Sequence, residues 1–430
     1  MYITGWTVLL AALGAVPAAI TRDRGVAWIW FLAVLALAAL DALAAPPKTS
    51  VGVKRTVPRS VRLTEDTTSV VSIANLTGRR IRGALRDAWQ PSAGAQGNRH
   101  RFSVAARDIQ RFTTRLRPTR RGDRHADAVT VRLEGPLRLG GRQVSIDSPD
   151  VLRVLPEFRS RKHLPARLAR LREIDGQTSV FLRGAGSEFD SLREYVVGDD
   201  VRTIDWRGTA RRADVVVRTF RPERDRRVFI LIDSSRLSAA RVGQAPRLEA
   251  SIEAALLLAT LASRAGDRVQ VVAFDRTERA RAMGSTTATL MPELANALAA
   301  VEPNLVEPDW PGVVRLVDDR LSQRAMVLLL TTIDASSIDS GLLEAVGPIS
   351  RQHQVVVASV DDPEVAELAA GREDASAVFG AAAAERSRLE ASAVSTRLRQ
   401  LGAEVVRSVP DALAPDVSDK YLDLKAAGRL

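Results

Sequence analysis

Five short, largely apolar runs punctuate the second half of this chain: VFILI (228–232), RVQVVAF (268–274), MVLLLT (326–331), QVVVASV (354–360) and EVVRSV (404–409). A strand that is apolar at nearly every position, not at every second one, is covered on both faces. Stretches with helical periodicity lie between and around the runs, at 247–264, about 287–300, 311–322, 340–350, 381–401 and 411–427. Strand alternating with amphipathic helix predicts a doubly wound α/β body, a mostly parallel sheet with helices on both sides. In such sheets the functional edge is formed by the carboxyl ends of the strands. Asp233, Asp275, Thr331, Thr332, Asp334 and Asp361 fall there.

The first fifty residues follow a different rule. YITGWTVLLAALGAVPAAI (2–20) and VAWIWFLAVLALAALDALAA (26–45) are each about long enough to cross a hydrocarbon core of roughly 30 Å, and only Asp41 interrupts them. Five residues, TRDRG, separate them, so residues 1–47 are expected to form a two-helix transmembrane hairpin. Asp41, near the end of its span, is expected to reach the headgroups. Lys48, Lys54, Arg55 and Arg59 after the second span outnumber Arg22 and Arg24 in the turn, which places the main body in the cytoplasm. Residues 48–157 change to short alternating runs such as SVVSIANL, RFTTRLRPT and AVTVRLEG between turn clusters, the pattern of a small β-sandwich. Residues 158–227 then lead into the body at 228–430.

The formal net charge of +11 is compatible with an acidic partner, whether lipid, nucleic acid or protein, but an Arg- and Ala-rich composition accounts for it more simply. Arg115, Arg117, Arg120 and Arg121 form a basic stretch suited to anionic lipid or to guarding a strand edge. Nucleic acid is not expected as a partner, because aromatics are 4% of residues and no basic-aromatic stripe is present. Cysteine is absent, and His100, His125, His163 and His353 are scattered, which removes thiolate chemistry and histidine metal sites. There is no phosphate-binding Gly-x-x-x-x-Gly-Lys loop, no Gly-x-Ser-x-Gly elbow and no His-Glu-x-x-His helix. Enzyme readings are left with carboxylates.

Those are densest in GAGSEFDSLREYVVGDDVRTIDWRGTARR (184–212), where Glu188, Asp190, Glu194, Asp199, Asp200 and Asp205 alternate with arginines. Arginine neighbours lower carboxyl pKa values, the wrong direction for a proton donor near neutral pH. Bidentate Arg–carboxylate pairs, with Trp206 stacking on a guanidinium, suit a docking surface better. The run Gly-x-Gly-x-Glu-Phe-x-x-Leu-Arg-x-Tyr-x-x-Gly-Asp-x-x-Arg-x-Ile-Asp-Trp, ending in Ala-Arg at 210–211, resembles the signature of the domain of unknown function 58 family, with Glu188, Arg193, Tyr195, Gly198, Asp199, Arg202, Asp205, Trp206 and Arg211 as its carriers. LTTIDASS and the closing LDLKAAGRL are also similar to that family. The resemblance implies a body like von Willebrand factor A domains and a non-enzymatic, membrane-anchored protein. Its implied partners are a MoxR-type AAA+ ATPase and a client protein to be assembled or activated. A carboxylate-dependent hydrolase of cell-envelope polymer and a metal-dependent adhesion module remain as alternatives.

A metal site of the von Willebrand type draws oxygen ligands from three loops at one sheet edge, and magnesium wants near-octahedral oxygen. Here Asp233, Ser235, Thr286 (or Thr287) and Asp334 would hold it. Leu237 stands where a second serine is usual, and Thr332 where an acid is usual. The loop is therefore expected to be an altered version of such a site, with no cofactor required.

Overall fold

The computed structural model describes residues 1–181, 188–212, 214–221, 226–284 and 286–430, apart from the side chains of 175–181, 188–191, 212 and 219–221. It divides into two compact units, Met1–Glu157 and Phe158–Leu430.

The first unit begins with β1 (Tyr2–Ile3), α1 (Gly5–Leu13), α2 (Ala15–Thr21) and α3 (Arg24–Ala44). Nine strands follow: β2 (Val51–Thr56), β3 (Ser60–Arg62), β4 (Thr67–Asn75), β5 (Ile81–Asp87), β6 (Ala95–Gln96), β7 (Arg99–Val104), β8 (Ile109–Leu116), β9 (Gly122–Glu134) and β10 (Gly140–Leu155). They make two antiparallel layers, ordered β1-β10-β9-β5-β7 and β2-β4-β8-β6, with β3 running parallel beside β10. Period-2 alternation points one face of each layer inward. Val71, Ile73 and Phe112 from one layer meet Leu85, Val129, Val131 and Leu133 from the other in a single core.

Two expectations about this unit need correcting. Arg55 is not a charge flanking the membrane: its side chain is fully buried between the layers, where it pairs with Asp87 at 2.9 Å. Asp41 does not reach out to headgroups. It is 2% exposed and accepts the backbone N–H groups of Leu137 and Leu139 at 2.8 Å and of Gly140 at 2.9 Å. The turn between β9 and β10 leaves those amides without a ladder partner, and a carboxylate on α3 satisfies three of them at once. Gly140 makes the approach possible, since a Cβ there would lie 2.3 Å from the Ala38 carbonyl oxygen. Asp41→Asn removes the charge from three charge-assisted bonds. It is expected to cost about 1.5–3 kcal/mol, read as a lowered Tm of the detergent-solubilised chain; an unchanged Tm would refute this role.

α3 has 21 residues with a mean hydropathy of 2.2 over its best window and is long and apolar enough to cross a membrane. The first apolar segment is shorter than the sequence suggests, because Tyr2 and Ile3 pair with Gly141 and Gly140 and are lost to the helix. Gly5–Thr21 leaves 17 residues, about 25 Å of helix. It packs on α3, with the Trp30 indole donating to the Leu10 carbonyl at 2.8 Å.

The second unit opens with α4 (Leu164–Phe181), β11 (Glu188–Glu194), α5 (Trp206–Arg212) and β12 (Val216–Arg221). Its body comprises β13 (Arg227–Asp233), the two-residue strands β14 (Arg241–Val242) and β15 (Ala245–Pro246), α6 (Arg247–Arg264), β16 (Arg268–Phe274), β17 (Glu278–Gly284), α7 (Thr287–Ala299), α8 (Trp310–Arg320), β18 (Met326–Leu330), α9 (Ala335–Asp339), α10 (Leu342–Gln352), β19 (Gln354–Val360), α11 (Pro363–Ala369), α12 (Ala375–Gln400), β20 (Glu404–Ser408) and α13 (Pro410–Ala426). The sheet runs β17-β16-β13-β18-β19-β20 and is parallel except for β17. Successive β13 side chains leave by opposite faces. Val228, Ile230 and Ile232 pack with α6, α7 and α13, while Phe229 and Leu231 pack with α8, α10 and α12. Helices thus cover both faces, the arrangement that continuous apolar strands require.

Candidate functional site

The carboxyl edge of the sheet is set by β13, which ends on Asp233, 2% exposed. Its carboxylate accepts the Thr331 hydroxyl at 2.6 Å and the Ser235 N–H at 2.8 Å, and its carbonyl accepts the Ser238 hydroxyl. Burial pushes this carboxyl above its ordinary pKa, against the opposing hydrogen bonds from Ser235 and Thr331 and with help from the neighbouring charge of Asp275. Asp275 goes the other way. Burial would raise it, but the Arg279 guanidinium at 2.6 Å and the amides of Arg276 and Thr277 outweigh that and hold it below the usual range. Asn304 completes the cluster, donating its amide to Asp275 at 2.9 Å and its backbone N–H to the Ser234 carbonyl at 2.7 Å. Asp361 pairs with Arg407 at 3.0 Å. Among the described residues, Asp233 is the acid at this edge held by hydroxyl and amide donors without a cation or a helix to cap.

The four positions expected to hold magnesium do not come together. Ser235 follows Asp233 in the same loop, and its hydroxyl accepts the Leu237 N–H. Asp334 is the N-cap of α9, accepting from the Ser336 hydroxyl at 2.6 Å and the Ser337 N–H at 3.0 Å in a reciprocal capping box. Thr286 lies at the wrong edge. β17 doubles back along β16 and brings Gly284 opposite Val269, whereas Asp233 is opposite Phe274. Five residues of strand at about 3.3 Å each separate the two ends. Thr287 confirms the placement, its hydroxyl donating to Ser263 near the carboxyl end of α6. Thr332 is engaged as well, donating to the Leu237 carbonyl at 3.1 Å. The residues present do not fit an octahedral magnesium site, and no three Asp, Glu or His side chains converge on a metal position among the described residues.

The signature stretch folds into a small hairpin of β11 and β12, antiparallel and bridged further by Ile204 and Val217. Arg193 pairs with Asp199 at 2.5 Å and Arg218 with Asp205 at 2.8 Å. The Arg193 bond lowers the Asp199 pKa; the Gly208 amide, then Arg218, lower that of Asp205, which caps α5. Gly198 has φ +112°, a conformation that L side chains rarely adopt. The Tyr195 N–H donates to the Val215 carbonyl at 2.8 Å. Trp206 differs from the expectation: it is 69% exposed, and among the described residues no guanidinium lies over its ring. Val196, Val197 and Val201 are exposed too, Val197 at 94%. Arg202 and Arg211 project with no acidic side-chain partner among the described residues. The side chains of Glu188 and Asp190 lie outside the described residues.

The second unit is therefore a mixed α/β body with a buried carboxylate at the carboxyl edge of its sheet and a separate arginine-carboxylate hairpin. Residues 191–403 match the model of the family described as Protein of unknown function DUF58. An uncharacterized protein, YeaD, of Bacillus subtilis (strain 168) is 26% identical over 113 residues, 26% of this chain and 28% of its own length. Among solved structures, a CARDB domain from Pyrococcus furiosus covers 24% of this chain and 87% of its own, at 14% identity and a TM-score of 0.19. A FixG-related protein from Vibrio parahaemolyticus covers 24% and 96%, at 9% identity and a TM-score of 0.17.

Proposed function

We propose that this chain is a membrane-anchored protein-interaction module of the von Willebrand factor A type. It docks a MoxR-type AAA+ ATPase through the signature hairpin and presents a client protein to it. The observation that carries the reading is the surface of that hairpin. Val196, Val197, Val201 and Trp206 are exposed in the same stretch of chain as exposed Arg202 and Arg211, while the carboxylates are tied down by Arg193, Arg218 and backbone amides. Aromatic and arginine side chains with an apolar centre are the composition of binding hot spots, and exposed apolar clusters of this kind mark interaction sites. The lowered pKa values of Asp199 and Asp205 keep both ionised at neutral pH, which counts against general-acid hydrolysis. In this reading α1–α2 joins α3 as a second span, and Lys48, Lys54 and Arg59 hold the body in the cytoplasm.

The detergent-solubilised full chain is expected to retain a purified MoxR-type AAA+ ATPase from its own genome, in the presence or absence of ATP. Val197→Glu and Trp206→Ala are each expected to weaken retention about tenfold or more, the loss of one hot-spot side chain, without lowering Tm. Failure to retain the ATPase in both nucleotide states would overturn the proposal, and so would full retention by both variants.

A further inference from the structure

A cavity of about 660 Å³ opens where the first two turns of α1 meet the outer face of β5 and β7. One side is cationic: Arg82, Arg101 and Arg138 line it, all exposed. None of the three makes a side-chain hydrogen bond or ion pair among the described residues. Glu134 is the acid of the lining, which leaves three guanidiniums against one carboxylate. The opposite side is apolar, formed by Trp6 and Leu9 of α1, 61% and 50% exposed.

Three arginines left unpaired around a concave site are costly in mutual repulsion unless an anion joins them. Arginine is also the side chain whose planar fork matches phosphate oxygens. The apolar wall belongs to an apolar helix that starts at this cavity, and tryptophan at the first turn of such a helix is the usual marker of the membrane–water interface. An occupant satisfying both sides has a phosphate at one end and hydrocarbon at the other.

We propose that this cavity binds the headgroup of an anionic phospholipid, with Arg82, Arg101 and Arg138 around the phosphate and the acyl chains running along Trp6 and Leu9. The site rests on the membrane-anchored reading of the first unit. It fixes the orientation of the β-sandwich on the lipid surface by binding one lipid, not by diffuse charge attraction.

The test uses the full chain in two steps. Reconstitution into phosphatidylcholine vesicles followed by alkaline extraction comes first, and a chain released by alkali overturns the anchoring reading itself. For a chain that stays inserted, lipid retained after detergent extraction from mixed phosphatidylglycerol and phosphatidylcholine vesicles is then counted by native mass spectrometry. Phosphatidylglycerol is expected to be enriched about tenfold over phosphatidylcholine, the scale of a few surface arginines acting on one phosphate. The triple variant R82Q/R101Q/R138Q is expected to lose that enrichment, the triple Arg→Lys variant to keep part of it, and R79Q/R80Q/R111Q, an equal loss of charge elsewhere on the sandwich, to keep all of it. Unchanged melting temperatures of the variants in phosphatidylcholine check the fold. Equal retention of the two lipids, or an equal loss in the control triple, would overturn the site. Inorganic phosphate competing as well as phosphatidylglycerol would assign the cavity to a soluble phosphate compound and overturn the lipid.

Discussion

Arg55→Ala is expected to cost the β-sandwich about 3–5 kcal/mol, the usual consequence of removing one partner of a buried ion pair. The pair is sealed: both side chains are fully buried, and every polar group around them is committed. The Arg55 guanidinium donates through Nε and Nη2 to Asp87, through Nη1 to the carbonyls of Ala126 and Ser148, and through Nη2 to that of Ala128. The other Asp87 oxygen accepts from the Ser69 hydroxyl at 2.7 Å and the Trp89 indole at 3.0 Å. Alanine leaves Asp87 charged in a site water cannot reach and strands three carbonyls. Arg55→Leu with Asp87→Leu removes both charges, and is expected to recover only part of the loss, because the carbonyls, Ser69 and Trp89 still lack partners. Chemical denaturation of the solubilised chain, with hydrogen exchange in β5 and β9 as the local readout, measures both. A loss below about 1 kcal/mol, the level of a surface pair, would refute the structural role.

Arg55 also shows where sequence reading ends. In VGVKRTV it looks like one more basic residue after an apolar helix, and nothing local distinguishes it from Lys54, which is exposed. Its burial is set by Asp87, 32 positions away, and by a register that puts odd-numbered β2 residues inward. Asp41 is the same case, since its amide partners are 96 to 99 positions distant. By contrast, the parallel strands were legible because burial on both faces writes itself into consecutive residues: the run QVVVASV is β19 from first residue to last. β17 was not, because it is an edge strand. ERARAMG carries charges toward solvent and has one buried residue, Ala282, so it gives no apolar run to find. Only that hairpin carries Thr286 back to the edge opposite Asp233; a chain continuing from β16 without it would leave Thr286 at the same edge as Asp233. Of the edge cluster, Thr331 was visible as the residue after an apolar strand. Asn304, on a loop between helices, carried no periodic signal at all.

Lys425→Met is expected to destabilise the second unit by about 3–5 kcal/mol at pH 8 and by distinctly less at pH 5. Asp267 sits after α6, 2% exposed, and meets the closing helix α13: the Tyr421 hydroxyl donates to it at 2.5 Å and the Lys425 ammonium, equally buried, at 3.2 Å. The chain's last helix is thereby locked to the amino edge of the sheet. Burial raises the Asp267 pKa, and Lys425 and Tyr421 pull against that rise without cancelling it. A carboxyl whose folded pKa exceeds its unfolded value binds its proton more tightly in the native state. Its contribution to stability is therefore full at low pH and is lost as pH rises from the ordinary carboxylate range through the raised value. Removing Lys425 takes away the main opposing charge, so the folded pKa climbs further and the window of loss extends upward. At pH 5 the variant can hold Asp267 neutral, whereas at pH 8 it must either bury the bare charge or release the helix. Adding Asp267→Asn should restore much of the stability and flatten the difference between the two pH values. Urea denaturation of the single and double variants at both pH values decides the matter. An equal loss at pH 5 and pH 8 would mean that Lys425 acts by packing its stem rather than by compensating Asp267.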